Sequence, residues 1–393
     1  MKQSALIVFL LFVLINTHAQ DTIPTHFYVK TTGQLPFLEY GLGDDRLGGA
    51  KMTYLDTNVV LKVVDSVGTD YKVQLSRYHT AYVAKSNVKP ADTSLHVKPY
   101  YLTNSWRVYG NATHDFVVVS MEEKLPYRAV QQINPSRLVV DIFGVTSNTN
   151  WITQLKTVKE IKNAWYEQVE DDVVRVFIEL KHQQHWGHYI SYDSAGRRLI
   201  IRIKRQPEKL RIKNLVIAVD AGHGGSNAGA LGTKTKVYEK EYTLQFAQAL
   251  QKYLGRKGVT VYMTRTTDVD ISMPDRTLAL RQQDPNLLIS LHLNSAGNPS
   301  AKGTSTYYRY IGFRPLTQFV LDRMLQLGLD NYGNIGNFNF ALSGPTEYPN
   351  CLVEIAFLSN EEDENKIKDS AFHRAVAKKI YKGIRDWLKA NRK

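Results

Sequence analysis

The 393-residue chain has one cysteine, Cys351, so no disulfide can form within it. A scaffold stapled by disulfides is excluded, and the chain is large enough not to need staples. Cys351 sits in an apolar stretch and reads as a small buried hydrophobe rather than a nucleophile. Long hydrophobic runs are also lacking. The longest, at 6–15, is short of the roughly 20 residues that cross a bilayer. Acidic residues are the minority charge, 37 against 50 lysines and arginines, for a net charge of +13. Such a surface attracts anionic partners such as wall peptides, wall polymers or lipid head groups. The basic residues are scattered through strand-like segments, and no nucleic-acid motif is present, so nucleic acid is not an expected partner.

What is present begins with an export signal. Lys2 supplies positive charge, the 6–15 run is apolar, and Thr17-His18-Ala19 places a small residue at a cleavage point. Residues 1–19 are therefore expected to be a signal peptide, with no stable membrane insertion after cleavage. The expected destination is the periplasm or cell envelope. No cysteine lies near the cleavage point, which argues against a lipoprotein.

Hydrophobic residues make up 43% of the chain, enough for real cores. Three globular segments follow the signal. The first, 24–95, alternates with period two: Val59, Leu61 and Val63 share one face, as do Tyr71, Val73 and Leu75. The second, 99–205, is again strand-rich, at 116–119, 137–142, 173–180 and 198–203. Here Val174, Val176, Ile178 and Leu180 share a face. A polar linker at 90–94 separates the two. His182, His185 and His188 cluster in the second segment. With no carboxylate or cysteine completing a set, a metal site there is the minor reading.

In the third segment, 213–393, the period changes. Strands are expected at 215–219, 259–263, 287–291, 304–308 and 351–355, and helices at 239–253, 273–283, 315–327 and 371–388. This alternation predicts an α/β domain with helices on both faces of a mixed sheet. In such sheets the site lies beyond the carboxyl ends of the strands.

Four polar residues fall there. His223 sits in Asp220-Ala221-Gly222-His223-Gly224-Gly225, just after the first strand. These glycines do not make a Gly-x-Gly-x-x-Gly, and no Gly-Lys-Ser/Thr follows, so the loop is not a phosphate cradle. Glu239 opens the next helix, where a carboxylate is also ordinary dipole chemistry. His292 ends the 287–291 strand. Glu354 lies inside Leu352-Val353-Glu354-Ile355-Ala356-Phe357, where a carboxylate is costly unless it is paired, protonated or beside a metal. Two histidines and one carboxylate leave a fourth position open, the pattern of catalytic zinc. A second carboxylate can then move the proton of a water.

Short stretches carry resemblances. Residues 54–56, 61–65, 71–75 and 81–83 resemble a bacterial SH3-like module, and 125–128, 137–142 and 173–176 resemble the AMIN domain. Val219-Asp220-Ala221-Gly222-His223-Gly224-Gly225, Tyr238-Glu239-Lys240, Met263-Thr264-Arg265, Ile289-Ser290-Leu291-His292-Leu293-Asn294 and 353–360 look like the type 3 N-acetylmuramoyl-L-alanine amidases, in order. That resemblance implies Zn2+ held by His223, Glu239 and His292, with Glu354 as catalytic acid/base and peptidoglycan as substrate. The bond cut would join the lactyl group of N-acetylmuramic acid to the L-alanine of the stem peptide. A zinc peptidase acting on free or wall peptides is the first alternative, and a catalytically inactive wall-binding protein the second. One departure is Asn227-Ala228, where the family often has Asp-Pro. Residues 303–350 leave little room for the plug helix that some relatives carry, so an activator protein is possible but not required.

Overall fold

The computed structural model describes residues 26–43, 47–91, 97–98 and 100–392. The expected signal peptide and most of the expected linker lie outside these residues.

The first segment forms strands β1 (Phe27–Thr31), β2 (Phe37–Glu39), β3 (Lys51–Tyr54), β4 (Val60–Val67), β5 (Asp70–Gln74), β6 (Thr80–Ala84) and β7 (Val88–Pro90). They make one antiparallel sheet in the order β3-β2-β6-β5-β4-β1-β7. The period-two pattern is realised: Val59, Leu61, Val63, Val73 and Leu75 are buried.

The second segment forms β8 (Tyr101–Gly110), β9 (His114–Met121), β10 (Tyr127–Ile133), β11 (Ser136–Phe143), β12 (Val145–Thr146), β13 (Ile152–Gln154), β14 (Ile161–Glu170), β15 (Val173–Leu180), β16 (His188–Tyr192) and β17 (Arg198–Lys204). One sheet runs β10-β11-β15-β14 and the other β12-β8-β9-β17-β16, with β13 beside β8. Val174, Val176, Ile178 and Leu180 are all buried, as their alternation requires. The apolar interiors of the two β segments run together as one continuous core.

The third segment contains β18 (Val216–Ala221), α1 (Glu239–Arg256), β19 (Thr260–Met263), α2 (Met273–Gln283), β20 (Leu287–Asn294), β21 (Thr304–Tyr307), α3 (Arg314–Met324), β22 (Asn331–Ile335), β23 (Asn350–Phe357), α4 (Glu361–Lys368) and α5 (Ser370–Ala390). The sheet order is β19-β18-β20-β23-β21-β22, parallel except for the β21–β23 pair. The expected mixed sheet with helices on both faces is therefore present. Helices α1, α3 and α5 pack on one face through Phe246, Leu250, Val320, Ile380 and Ile384. On the other face, Leu280 of α2 meets Ala218 and Leu288. Gly383 of α5 lets α3 approach closely, since a Cβ there would lie 2.7 Å from the Val320 Cα.

Period two within this sheet separates core from chemistry. Ile217, Val219, Ala221, Ile289, Leu291, Val353 and Ile355 point into the three-helix face. The residues between them, Asp220, Ser290, His292 and Glu354, point the other way. Because both faces are covered, the strands read in sequence as nearly continuous apolar runs.

Helix α2 starts at Ser272, whose hydroxyl accepts from the Asp275 N–H, and has proline in its first turn. It places Arg276 beneath the sheet. The segment expected to hold one helix between 303 and 350 does hold α3, together with the edge strand β22. Helix α3 packs against α5 rather than entering the strand ends. Among the described residues, no helix is long and apolar enough to cross a membrane.

Candidate metal centre

The site forms at the carboxyl ends of β18, β20 and β23. Strand β18 delivers the chain into Gly222-His223-Gly224-Gly225. His223 has φ of 62°, a left-handed conformation that a non-glycine residue adopts at a cost. The surrounding loop enforces it. Asp268 Oδ1 accepts from the Gly225 N–H at 2.7 Å, and Asp270 accepts from the N–H and hydroxyl of Ser226 at 2.9 Å each. Lys240 Nζ ties Asp268 to the Gly225 carbonyl, at 2.7 Å from each.

His292 lies inside β20, which continues two residues beyond it instead of ending before it as expected. Its Cα partner on β23 is Glu354. Gly222 makes room for the His292 ring, since a Cβ there would lie 2.4 Å from Cε1. Glu239 is the first residue of α1 and is buried. The α1 N-terminus thus meets the His223 loop, as the helix reading required.

These elements bring His223, Glu239 and His292 together. Glu239 Oε1 lies 3.1 Å from His223 Nε2 and 3.1 Å from His292 Nδ1. One donor atom from each residue falls within 4.8 Å of the others. Ligands of a tetrahedral metal at about 2.0–2.1 Å stand roughly 3.3 Å apart, so the spacing suits a metal ion. The outer partners fit as well. His223 Nδ1 meets Asn227 Oδ1 at 2.9 Å, and Glu239 Oε2 accepts from the Ala230 N–H at 2.8 Å. The His292 nitrogen that faces the cluster is Nδ1, while Nε2 is buried with no hydrogen-bond partner among the described residues.

Electrostatics agree with the geometry. Burial would raise the Glu239 pKa, but the two imidazoles outweigh it and hold the carboxyl well below its usual range. Burial would lower the His292 pKa, but the Glu239 carboxylate outweighs it and raises it. The cluster thus favours added positive charge at its centre.

Beneath this cluster lies a buried ion pair that motif reading alone did not single out. Asp220 Oδ1 accepts from Arg276 Nη1 at 2.8 Å and from Thr264 Oγ1 at 2.7 Å, while Oδ2 accepts from Ser290 Oγ at 2.6 Å. Arg276 also donates to the carbonyls of Ala221 and His223, and Arg265 to those of Ala221 and Gly222. Two guanidinium groups therefore pin the backbone that carries His223. Burial would raise the Asp220 pKa, but Arg276, His292 and the two hydroxyls outweigh it and lower it. A lowered folded pKa contributes stability above the unfolded value of about 4, and that stability is lost as the pH falls through the folded pKa. Asp220→Asn is expected to cost about 3–5 kcal/mol by leaving Arg276 buried and unpaired. Its thermal midpoint should also fall less steeply below about pH 4. An unchanged acid limb in the variant would contradict this role.

The second-segment histidines do not converge. His182 Nδ1 bonds Glu160 Oε2 at 2.7 Å, so a carboxylate does lie beside this one. His185 Nε2 instead meets the Gln132 carbonyl at 2.9 Å, and burial pushes His188 down to about 3. Among the described residues the only metal-competent group is His223, Glu239 and His292.

Comparison with known proteins finds two family matches in the chain. Residues 217–386 match the N-acetylmuramoyl-L-alanine amidase family model, and residues 105–207 match the AMIN domain model. A probable cell wall amidase, LytH of Staphylococcus aureus, is 31% identical over 184 residues, 47% of this chain and 62% of that protein. The chain thus spans under two thirds of the length of that curated relative. Among solved structures, the catalytic domain of CwlV, an N-acetylmuramoyl-L-alanine amidase from Bacillus (Paenibacillus) polymyxa var. colistinus, is 30% identical. That match covers 44% of this chain and 98% of that domain, with a TM-score of 0.43. An N-acetylmuramoyl-L-alanine amidase from Clostridium difficile 630 is 29% identical over 44% of this chain and 97% of that one, with a TM-score of 0.43. The C-terminal α/β domain of this chain belongs to the N-acetylmuramoyl-L-alanine amidase family, and an AMIN domain precedes it.

Proposed function

We propose that the chain is a zinc-dependent amidase that cuts the bond between N-acetylmuramic acid and L-alanine in peptidoglycan. The observation that carries this is the convergence of His223, Glu239 and His292 on one point, with Glu354 in register beside His292. His223, Glu239 and His292 would hold the metal, and Glu354 would be the catalytic carboxylate. Zinc bound there supplies Lewis acidity toward the scissile carbonyl and brings the pKa of a water to about 7.

The chain's own residues do the rest. Glu354 takes a proton from the attacking water, whose oxygen bonds to the amide carbon. As the carbon–nitrogen bond breaks, Glu354 gives that proton to the departing L-alanine nitrogen. Asn227 and the Ala230 N–H hold His223 and Glu239 in their ligand orientations.

The remaining expectations fit this reading. The destination is the cell envelope, where the AMIN domain and the N-terminal sheet, read as SH3-like, keep the enzyme at the wall. The site works without an activator, since α3 lies in the core rather than in the strand ends. Purified chain should release dye from labelled wall unaided. A chelator should abolish release, and added zinc should restore it. Release that persists at full rate in excess chelator would overturn the metal assignment.

A further inference from the structure

The N-terminal sheet and the C-terminal α/β domain meet at Asn339, the residue before Phe340. The Asn339 side chain is the hub of that contact. Asn339 Oδ1 accepts from the Lys51 N–H at 3.2 Å and from Arg309 Nη1 at 2.5 Å. Asn339 Nδ2 donates to the carbonyl of Leu47 at 3.1 Å and to that of Gly49 at 2.7 Å. Arg309 also donates to the Lys51 carbonyl. One side chain of the catalytic domain thus satisfies three backbone groups of the N-terminal sheet. Strand β3 grips the same segment again further on. Tyr54 comes close to Gly344, where an added Cβ would lie 3.0 Å from the Tyr54 hydroxyl.

The next residue, Phe340, touches the metal centre. Its ring meets the His292 imidazole edge to face, with centroids 5.2 Å apart and planes at 82°. Phe338 stacks on Phe340 and in turn packs on Tyr307. The His292 ring also packs close to Gly222, where an added Cβ would lie 2.4 Å from Cε1. His292 therefore packs on Phe340, and Phe340 follows directly on Asn339, whose side chain bonds the N-terminal β segment.

We propose that the N-terminal sheet, docked through Asn339, acts through Phe340 as a positioning element for His292 and so sets the affinity of the centre for zinc. This rests on the metal assignment proposed above. Loosening the 47–51 contact frees the 338–340 segment, Phe340 no longer fixes the imidazole, and the ligand set loses preorganisation. Neither Asn339 nor Phe340 is a ligand. Each acts through another residue.

The test measures zinc dissociation constants of full-length chain by competition with a chromogenic chelator. Circular dichroism of the metal-free proteins confirms folding. Phe340→Ala is expected to weaken zinc binding about tenfold, within the range for lost outer partners. Asn339→Ala, at a residue whose side chain bonds none of the three proposed ligands, should weaken it roughly three- to tenfold. Phe340→Tyr, which keeps the ring contact, should restore binding to within about twofold of the unaltered chain. Asn339→Ser gives a milder version should the alanine variant fold poorly. If Asn339 acts through Phe340, the double alanine variant should bind no more weakly than Phe340→Ala alone. Unaltered affinity in folded Asn339 variants, or effects that multiply in the double variant, would overturn the coupling while leaving the metal assignment intact. An unaltered chain that binds no zinc would sink both.

Discussion

Glu354→Ala should keep its metal and lose turnover. The expected drop in wall hydrolysis is about 10²- to 10⁴-fold, the range for removing a general acid–base group. The expectation follows from position. Glu354 lies on β23, across the strand pair from His292, and is not among the three groups that converge on one point. Removing it takes away a charge near His292 but none of the three converging groups, so the metal should stay. Metal stoichiometry, thermal midpoint and dye release on the same sample separate these effects. A variant that lost zinc along with turnover would make Glu354 a ligand rather than a proton carrier.

His223→Ala should lose both zinc and turnover. Its Nε2 is one of the three converging atoms, 3.1 Å from Glu239 Oε1. Without it two protein ligands remain, and affinity should fall beyond the roughly 10- to 100-fold cost of losing an outer partner. A complication is the backbone, because residue 223 has φ of 62°. Alanine strains that conformation, whereas asparagine tolerates it. His223→Asn therefore separates ligand loss from loop distortion. Both variants should be inactive, with the asparagine variant closer to the metal-free wild-type protein in thermal midpoint. Zinc binding by His223→Asn at wild-type affinity would remove His223 from the ligand set.

Much of this site is legible in the chain because the α/β sheet is covered on both faces. A polar residue inside β20 or β23 stands out against Leu, Ile and Val, and His292 and Glu354 were found that way. Asp220 carries the same signal inside Val216–Ala221, yet its role depends on Arg276, 56 residues away on α2. No local pattern announces that partner. Asn227 was visible as a departure from the family, but its bond to His223 is a matter of loop geometry.

Element boundaries follow the same logic. The helix expected at 273–283 is found with those limits because Ser272 and the proline after Met273 mark its start. Helix α4 was missed although Asn360 caps it and four acidic residues fill its first turn, a readable start signal. Strand β22 has no such signal. Asn331-Tyr332-Gly333-Asn334-Ile335 is a sheet edge, half-buried at best, without apolar alternation. The contact between the N-terminal sheet and Asn339 was also beyond sequence reading, since Asn339 and Lys51 lie 288 residues apart.

The central claim is the identity of the bond that is cut, and the products report it directly. Purified peptidoglycan digested with the chain should be resolved by mass spectrometry, with and without chelator. The account predicts intact stem peptides beginning at L-alanine, glycan strands bearing free lactyl carboxyls, and neither product in chelator. Stem peptides shortened from within, still attached to muramic acid, would mark a peptidase and contradict it.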